Sequence, residues 1–251
     1  MKRLSLAAAM VMGLALAPSM TELHAAELKI LAGGSLTGPL SELGPEFEKA
    51  SGHRLTIHFD STPNLIKLAT SGDAFDLGVV PVDVYKNAAA KARFAEPMTE
   101  IARVGYGVAV RAGAARPDIS TAAAFKKTML DASSIAFIPA SAAGGYVSGV
   151  FERLGIGEAM KAKTRAQAAT TDIPKAVARG EAELGVFLIN VLTAPGVDLA
   201  GAFPAELQQE LVFTAAVAAD SQRADAARAF IAFLTSPAAT AIIKAKGMTP
   251  G

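Results

Sequence analysis

The chain has 251 residues, with 24 Lys and Arg against 23 Asp and Glu and a formal net charge of +1. A balance this even lacks the basic excess that would attract nucleic acid or an anionic membrane surface. There is no Cys, which excludes disulfides and a lipid-anchor cysteine, and the length suits one large domain or two of about 100 residues.

Residues 1–25 read as a secretory signal rather than as part of the fold. Lys2 and Arg3 open it, and residues 4–17 form an apolar stretch too short to span a bilayer comfortably. Leu23-His24-Ala25-Ala26 then offers a small-residue cleavage site, placed after Ala25. Removing this segment takes away Lys2, Arg3 and Glu22 and leaves 22 basic and 22 acidic residues. A soluble periplasmic protein with no stable membrane insertion is the expectation.

Residues 28–32 form a short apolar run that reads as a buried strand. Gly33 and Gly34 turn the backbone, and Ser35 stands as the expected N-cap of a helix over 39–51 that Gly52 ends. Strand, glycine turn and helix start make a place for an anion, because the first amides of a helix have no internal partner. Residues 54–59 alternate Leu55, Ile57 and Phe59 as a second strand. A polar turn, 60–64, follows, with Thr62 ahead of Pro63 as the next helix start. Residues 77–80 read as a third strand, and a helix is expected over 82–91. Three βα units in succession predict a parallel, doubly wound sheet.

The pattern changes at Ile101. Residues 101–111 form a long extended run with Gly105 and Gly107 in its middle, which suggests a bend or crossover. A second βα series follows: a helix over 121–130, a strand over 134–138, a loop 139–145 opening a helix that ends near Gly155, and a short helix opened by Thr171-Asp172-Ile173-Pro174 with Asp172 as its cap. Residues 184–188 are a buried strand, residues 207–218 are again long and apolar, and two helices over 224–234 and 237–246 close the chain.

If both long runs cross between lobes, at about 103–109 and 212–218, residues 26–105 with 215–251 form lobe 1 and residues 106–214 form lobe 2. The expected fold is α/β and two-lobed, each lobe a mainly parallel sheet flanked by helices. Ligands collect at the carboxyl ends of such strands. The turns at Ser35, Ser61–Thr62, Ala143 and Ile173 would then face one another across a cleft.

Ala32-Gly-Gly-Ser-Leu-Thr37, Phe59-x-Ser-Thr-x-x-Leu65, Ala69-x-x-Gly72, Asp76 and Leu184-Gly-Val186 resemble the periplasmic molybdate-binding proteins of ABC importers, which have the type II periplasmic binding fold. The resemblance covers nearly the whole chain after residue 25. It implies a small anion held by hydrogen bonds and an ABC permease as partner. Ser35 matches the family's first serine, and Thr62, with Ser61 beside it, the second hydroxyl. Ala143 and Ile173 match its backbone donors. The family's tyrosine falls on Leu188, which cannot donate. Asp60 puts a carboxylate beside the second turn, and 141–146 replaces the family's proline-centred turn. A divergent branch of this fold is similar to periplasmic aconitate isomerase, which keeps an isomerase of a small polycarboxylate as the alternative.

Other chemistry has little support in the residues. His53 and His58 are the only histidines after residue 25 and lie on the second strand or its lead-in, and there is no Gly-x-Ser-x-Gly elbow. No ligand spacing for a metal is present, and no cofactor is expected. Arg103, at the start of the proposed crossover, offers a two-pronged clamp for a carboxylate or a partner for an acidic hinge residue. Lys67, Lys86 and Arg111 are the other basic residues near the turns. Tyr146 either reaches the cleft in place of the lost hydroxyl or packs on its helix. A monomer is expected.

Overall fold

The computed structural model describes residues 25–251, so the expected signal segment, save Ala25, lies outside the described residues. The chain opens with β1 (Glu27–Gly33), a tight 3-10 turn (Gly34–Leu36) and α1 (Thr37–Ser51). Leu36, Leu40, Leu43 and Phe47 recur at helical spacing and are all buried. Each such burial is worth about 1.5–3 kcal/mol. Gly52 ends α1 in the left-handed region at φ 74°, where a side chain would be strained. β2 (Arg54–Asp60), α2 (Thr62–Thr70) and β3 (Leu77–Pro81) repeat the unit. β1 pairs in parallel with β2 on one side and β3 on the other.

The helix expected across 82–91 is broken. A 3-10 turn (Val82–Lys86) comes first, and α3 (Ala88–Lys91) starts afresh because Asn87 caps it, accepting from the Ala90 amide at 3.0 Å. Next come β4 (Thr99–Arg111), α4 (Ala122–Asp131), β5 (Ile135–Phe137) and α5 (Ala142–Arg153). Two elements absent from the sequence reading follow, α6 (Gly157–Lys163) and β6 (Thr164–Ala166). Neither is legible from pattern: β6 is three residues long and largely exposed. α7 (Asp172–Ala178), β7 (Leu184–Leu188), α8 (Ile189–Leu192) and β8 (Val197–Ala202) complete the middle of the chain, and β9 (Glu210–Val217), α9 (Ala224–Leu234), α10 (Pro237–Ala245) and β10 (Thr249–Pro250) close it.

The strands run in the order β2-β1-β3-β9-β4-β7-β5-β6, with β8 and β10 also pairing to β4. The result is a curled mixed sheet flanked by helices, in two lobes that share β4. From Thr99 to Gly105, β4 pairs with β9; from Tyr106 to Ala109 it pairs with β7. The switch falls at the mid-strand glycines, as their absent side chains allow. A Cβ on Gly107 would come 2.8 Å from the Gly201 carbonyl oxygen. The later run, 207–218, is shorter as a strand than its composition suggests. Pro204 and a 3-10 turn (Ala205–Leu207) precede β9, which joins β4 from Glu210.

Asp76 ties the first lobe together. It is nearly fully buried, its carboxylate accepts from the Lys29 amide at 3.0 Å and the Ser221 hydroxyl at 2.8 Å, and the Arg223 guanidinium lies 3.5 Å away. These partners complete most of the bonds that a buried carboxylate needs.

Candidate anion-binding site

A cavity of about 280 Å³ lies where the carboxyl ends of the strands from both lobes meet. Gly33, Gly34, Ser35 and Thr37 form one part of its wall, and Asp60, Ser61 and Thr62 another. Ser141, Ala142 and Ala143 face them from α5, and 168–171 from the approach to α7. Phe59, Phe187 and Phe213 supply aromatic surface. Among the described residues, no Lys or Arg lines the cavity.

The sequence folds this way for local reasons. Gly33 lies against Phe213, and a Cβ there would come 2.8 Å from the ring. Ser35 sits inside the 3-10 turn instead of capping α1, which starts at Thr37 after an uncapped Leu36. The carbonyl of Gly34 accepts from the Thr37 hydroxyl at 2.7 Å, which tightens that turn. The expected cap at Thr62 is likewise displaced: Ser61 holds the N-cap position and makes no side-chain capping bond, and Thr62 is the first helical residue. The hydroxyls of Ser35, Ser61 and Thr62 are therefore not spent on helix caps. Ser35 and Thr62 are each about nine-tenths buried.

α5 is built differently. The Ser141 hydroxyl accepts from the Gly144 amide at 2.9 Å and donates to the Ile138 carbonyl at 2.9 Å. A cap of this kind is worth about 1 kcal/mol. Gly144 is required here, because a Cβ would fall 1.7 Å from the Ile138 oxygen. The first turn of α5 is thus seated on the end of β5, and Ala143 reaches the cavity. The opening amides of α2 and α5 lack intrahelical partners, and both helices bring the positive ends of their dipoles to the cavity wall.

Four of the residues singled out from sequence, Ser35, Ser61, Thr62 and Ala143, line one cavity. Two do not. Ile173 is fully buried in the first turn of α7, and its amide is engaged with the Thr170 carbonyl at 3.3 Å. The wall is made instead by Thr170 and Thr171, and Thr171, not Asp172, holds the N-cap position of α7. Arg103 is also misplaced by the clamp reading. Its Nε donates to Glu100 at 2.8 Å and its guanidinium lies 3.7 Å from Glu210, so it ties the paired strands β4 and β9 outside the cavity.

Leu188 is fully buried at the end of β7 opposite Tyr106, and its neighbour Phe187 faces the cavity. Tyr146 packs rather than lines: its hydroxyl donates to the Leu207 carbonyl at 2.7 Å, and its ring centroid lies 4.6 Å from that of Tyr106. The Asp60 carboxylate accepts from the Ser61 amide at 2.7 Å and from Asn64 at 2.8 Å, with His58 Nε2 3.3 Å away. Partial burial pushes its pKa up, but the bonds from Asn64, Ser61 and His58 outweigh this and hold it below the ordinary aspartate value. Its charge is therefore fixed at neutral pH and directed to Asn64 and exposed His58. The hydroxyls of Ser141, Thr170 and Thr171 were missed from sequence. Ser141, three residues ahead of Gly144, carried an N-cap signal that identifies it; Thr170 carried none.

Two lobes that share a crossing strand, with a hydroxyl-lined cavity at the strand ends, define a type II periplasmic binding fold. The chain belongs to the bacterial extracellular solute-binding proteins, whose family model matches residues 28–249. It is 33% identical over 231 residues to an aconitate isomerase of a Pseudomonas species, a match spanning 89% of this chain and 87% of that one. It is 26% identical over 231 residues to a molybdate-binding protein of Azotobacter vinelandii, across 89% of this chain and 90% of the relative. The solved structure of the Azotobacter vinelandii periplasmic molybdate-binding protein superposes with a TM-score of 0.73 at 21% identity, covering 88% of this chain and 98% of that one.

Proposed function

We propose that this chain is a periplasmic solute-binding protein that captures a small anion, an oxyanion or a small organic acid, between its lobes and delivers it to an ABC permease. The observation that carries this reading is the cavity wall: hydroxyls of Ser35, Ser61, Thr62 and Thr171 and two helix N-termini, with no Lys or Arg. Neutral hydroxyl and amide donors can hold an anion by hydrogen bonds alone, each worth about 1.5–3 kcal/mol to a charged acceptor. The signal reading of residues 1–25 supports export, and the molybdate-binding relative supports an oxyanion-sized ligand. The lobe boundaries belong to the same proposal, 26–105 with 215–251 and 106–214. The pairing of β9 from Glu210 draws the second edge toward that residue. The test is a thermal-shift screen of the protein lacking residues 1–25 against molybdate, sulfate and aconitate, followed by calorimetry. A ligand at 100 times its Kd stabilises the folded state by about 2.7 kcal/mol. No shift with any anion overturns the reading.

A second reading, an isomerase moving a proton on a small polycarboxylate, is favoured by the higher identity to the aconitate isomerase. It needs a base and a carboxylate clamp in the cavity. The only carboxylate among the described residues of the wall, Asp60, is held ionised with a lowered pKa and is a weak base. Incubation with aconitate and separation of its isomers decides between them: turnover establishes the enzyme, and saturable binding without turnover establishes the carrier.

A further inference from the structure

Two side chains of the β7 half of the sheet donate hydrogen bonds to consecutive carbonyls of the turn that follows β1. The Thr170 hydroxyl donates to the Gly34 carbonyl at 3.0 Å, and Asn190 Nδ2 donates to the Ser35 carbonyl at 2.7 Å. Thr170 lines the candidate cavity; Asn190 does not. Asn190 lines a neighbouring cavity of about 530 Å³ together with Ser35, Thr37 and Thr170. Successive carbonyls of the Gly34–Ser35 turn are therefore each held by a side chain of the opposite lobe.

The geometry points to Asn190 as a positioning residue and closure latch. It holds the two lobes together through the Ser35 carbonyl and so fixes the turn that presents the Ser35 hydroxyl, without touching the ligand. This rests on the carrier reading above. A feature of the same side chain sets the strength of the latch. Asn190 Oδ1 is buried and has no hydrogen-bond partner among the described residues. A buried acceptor without a partner opposes the state that buries it. Opening the lobes breaks the Ser35 bond but returns Oδ1 to water. The two effects oppose one another, so the latch is balanced rather than locked. A bound anion, interacting with both walls, supplies the remaining bias toward the closed state.

The experiment exploits the absence of cysteine. Spin labels at Lys67→Cys and Arg165→Cys, both exposed and both off the cavity wall, report the distance between the lobes. Asn190→Ala and Asn190→Asp are compared in this background without added anion. The aspartate keeps the size but cannot donate to the Ser35 carbonyl. We expect Asn190→Asp to lower the ratio of closed to open populations by about fivefold or more, because it loses the donor and turns an acceptor toward the Ser35 carbonyl, and Asn190→Ala to lower it by less, because it removes the bond and the unsatisfied acceptor together. With the anion found by the thermal-shift screen, dissociation should quicken by a similar factor while association stays within twofold. An unchanged distance distribution in both variants overturns the latch. That measurement needs no ligand, so a wild-type chain that binds no anion would refute the carrier reading and leave the latch standing or falling on its own.

Discussion

The side-chain amide of Gln208 pairs with the backbone of Tyr106 on both edges: Oε1 accepts from the Tyr106 amide at 2.8 Å, and Nε2 donates to its carbonyl at 2.9 Å. Tyr106 is the residue at which β4 leaves β9 and takes up β7. A side chain thus stands in for a strand at the point where the backbone ladder changes partner. Gln208→Ala removes both bonds and strands the Tyr106 amide in a buried position. The expected loss is about 1–3 kcal/mol, read as a lower urea midpoint with an unchanged m-value. Gln208→Glu should fall in between, because it keeps the acceptor and loses the donor.

Ser35→Ala and Thr62→Val should each weaken anion binding by about tenfold, the cost of one lost hydrogen bond to a charged ligand, with melting temperatures close to wild type. Arg103→Gln serves as the contrast. Its guanidinium is committed to Glu100 and Glu210, so anion affinity should stay within about twofold while stability changes slightly. Calorimetric titration of the three variants checks this. A large loss at Arg103 with none at Ser35 would relocate the site.

Tyr85 gives the protein an alkaline limit. Burial raises its pKa to about 12; the nearby Thr214 hydroxyl opposes the rise, and the charge of Glu96 adds to it. A phenol whose folded pKa lies above its ordinary value of 10.0 stabilises fully below that value and loses the contribution as pH climbs through about 12. Among the described residues neither its hydroxyl nor that of Thr214 has a well-formed hydrogen bond, so Thr214 only moderates the rise. Tyr85→Phe should therefore be neutral or stabilising at pH 7 and should flatten the decline between pH 10 and pH 12, as followed by denaturant midpoints across that range.

Much of this architecture is written in local pattern. The apolar spacing of Leu36, Leu40, Leu43 and Phe47, the alternation of Leu55, Ile57 and Phe59, and the mid-strand pair Gly105 and Gly107 announce their elements because each answers to a neighbour close in sequence or to a single buried face. The hydroxyls of Ser35, Ser61, Thr62 and the backbone of Ala143 were legible for the same reason, as strand-to-helix turns. What escaped was decided at long range. Of the two readings of Arg103, clamp or partner of an acidic residue, the sequence could not choose, because Glu210 lies more than a hundred residues later; nor could Thr170 reveal that its hydroxyl meets Gly34. Ile173 was expected as a backbone donor, but its amide is taken up by the Thr170 carbonyl, and Thr170 and Thr171 line the cavity in its place.

β4 has a consequence for how the molecule comes apart. One strand of 13 residues is edge-bonded to β7, β8, β9 and β10, so it belongs to both lobes at once. Neither lobe can release it without exposing a row of bare amides and carbonyls in the other. The two halves are thermodynamically married through this strand. Heating should therefore produce one calorimetric peak whose van't Hoff enthalpy matches the measured enthalpy, and a fragment ending before β4 should emerge from expression as unfolded chain.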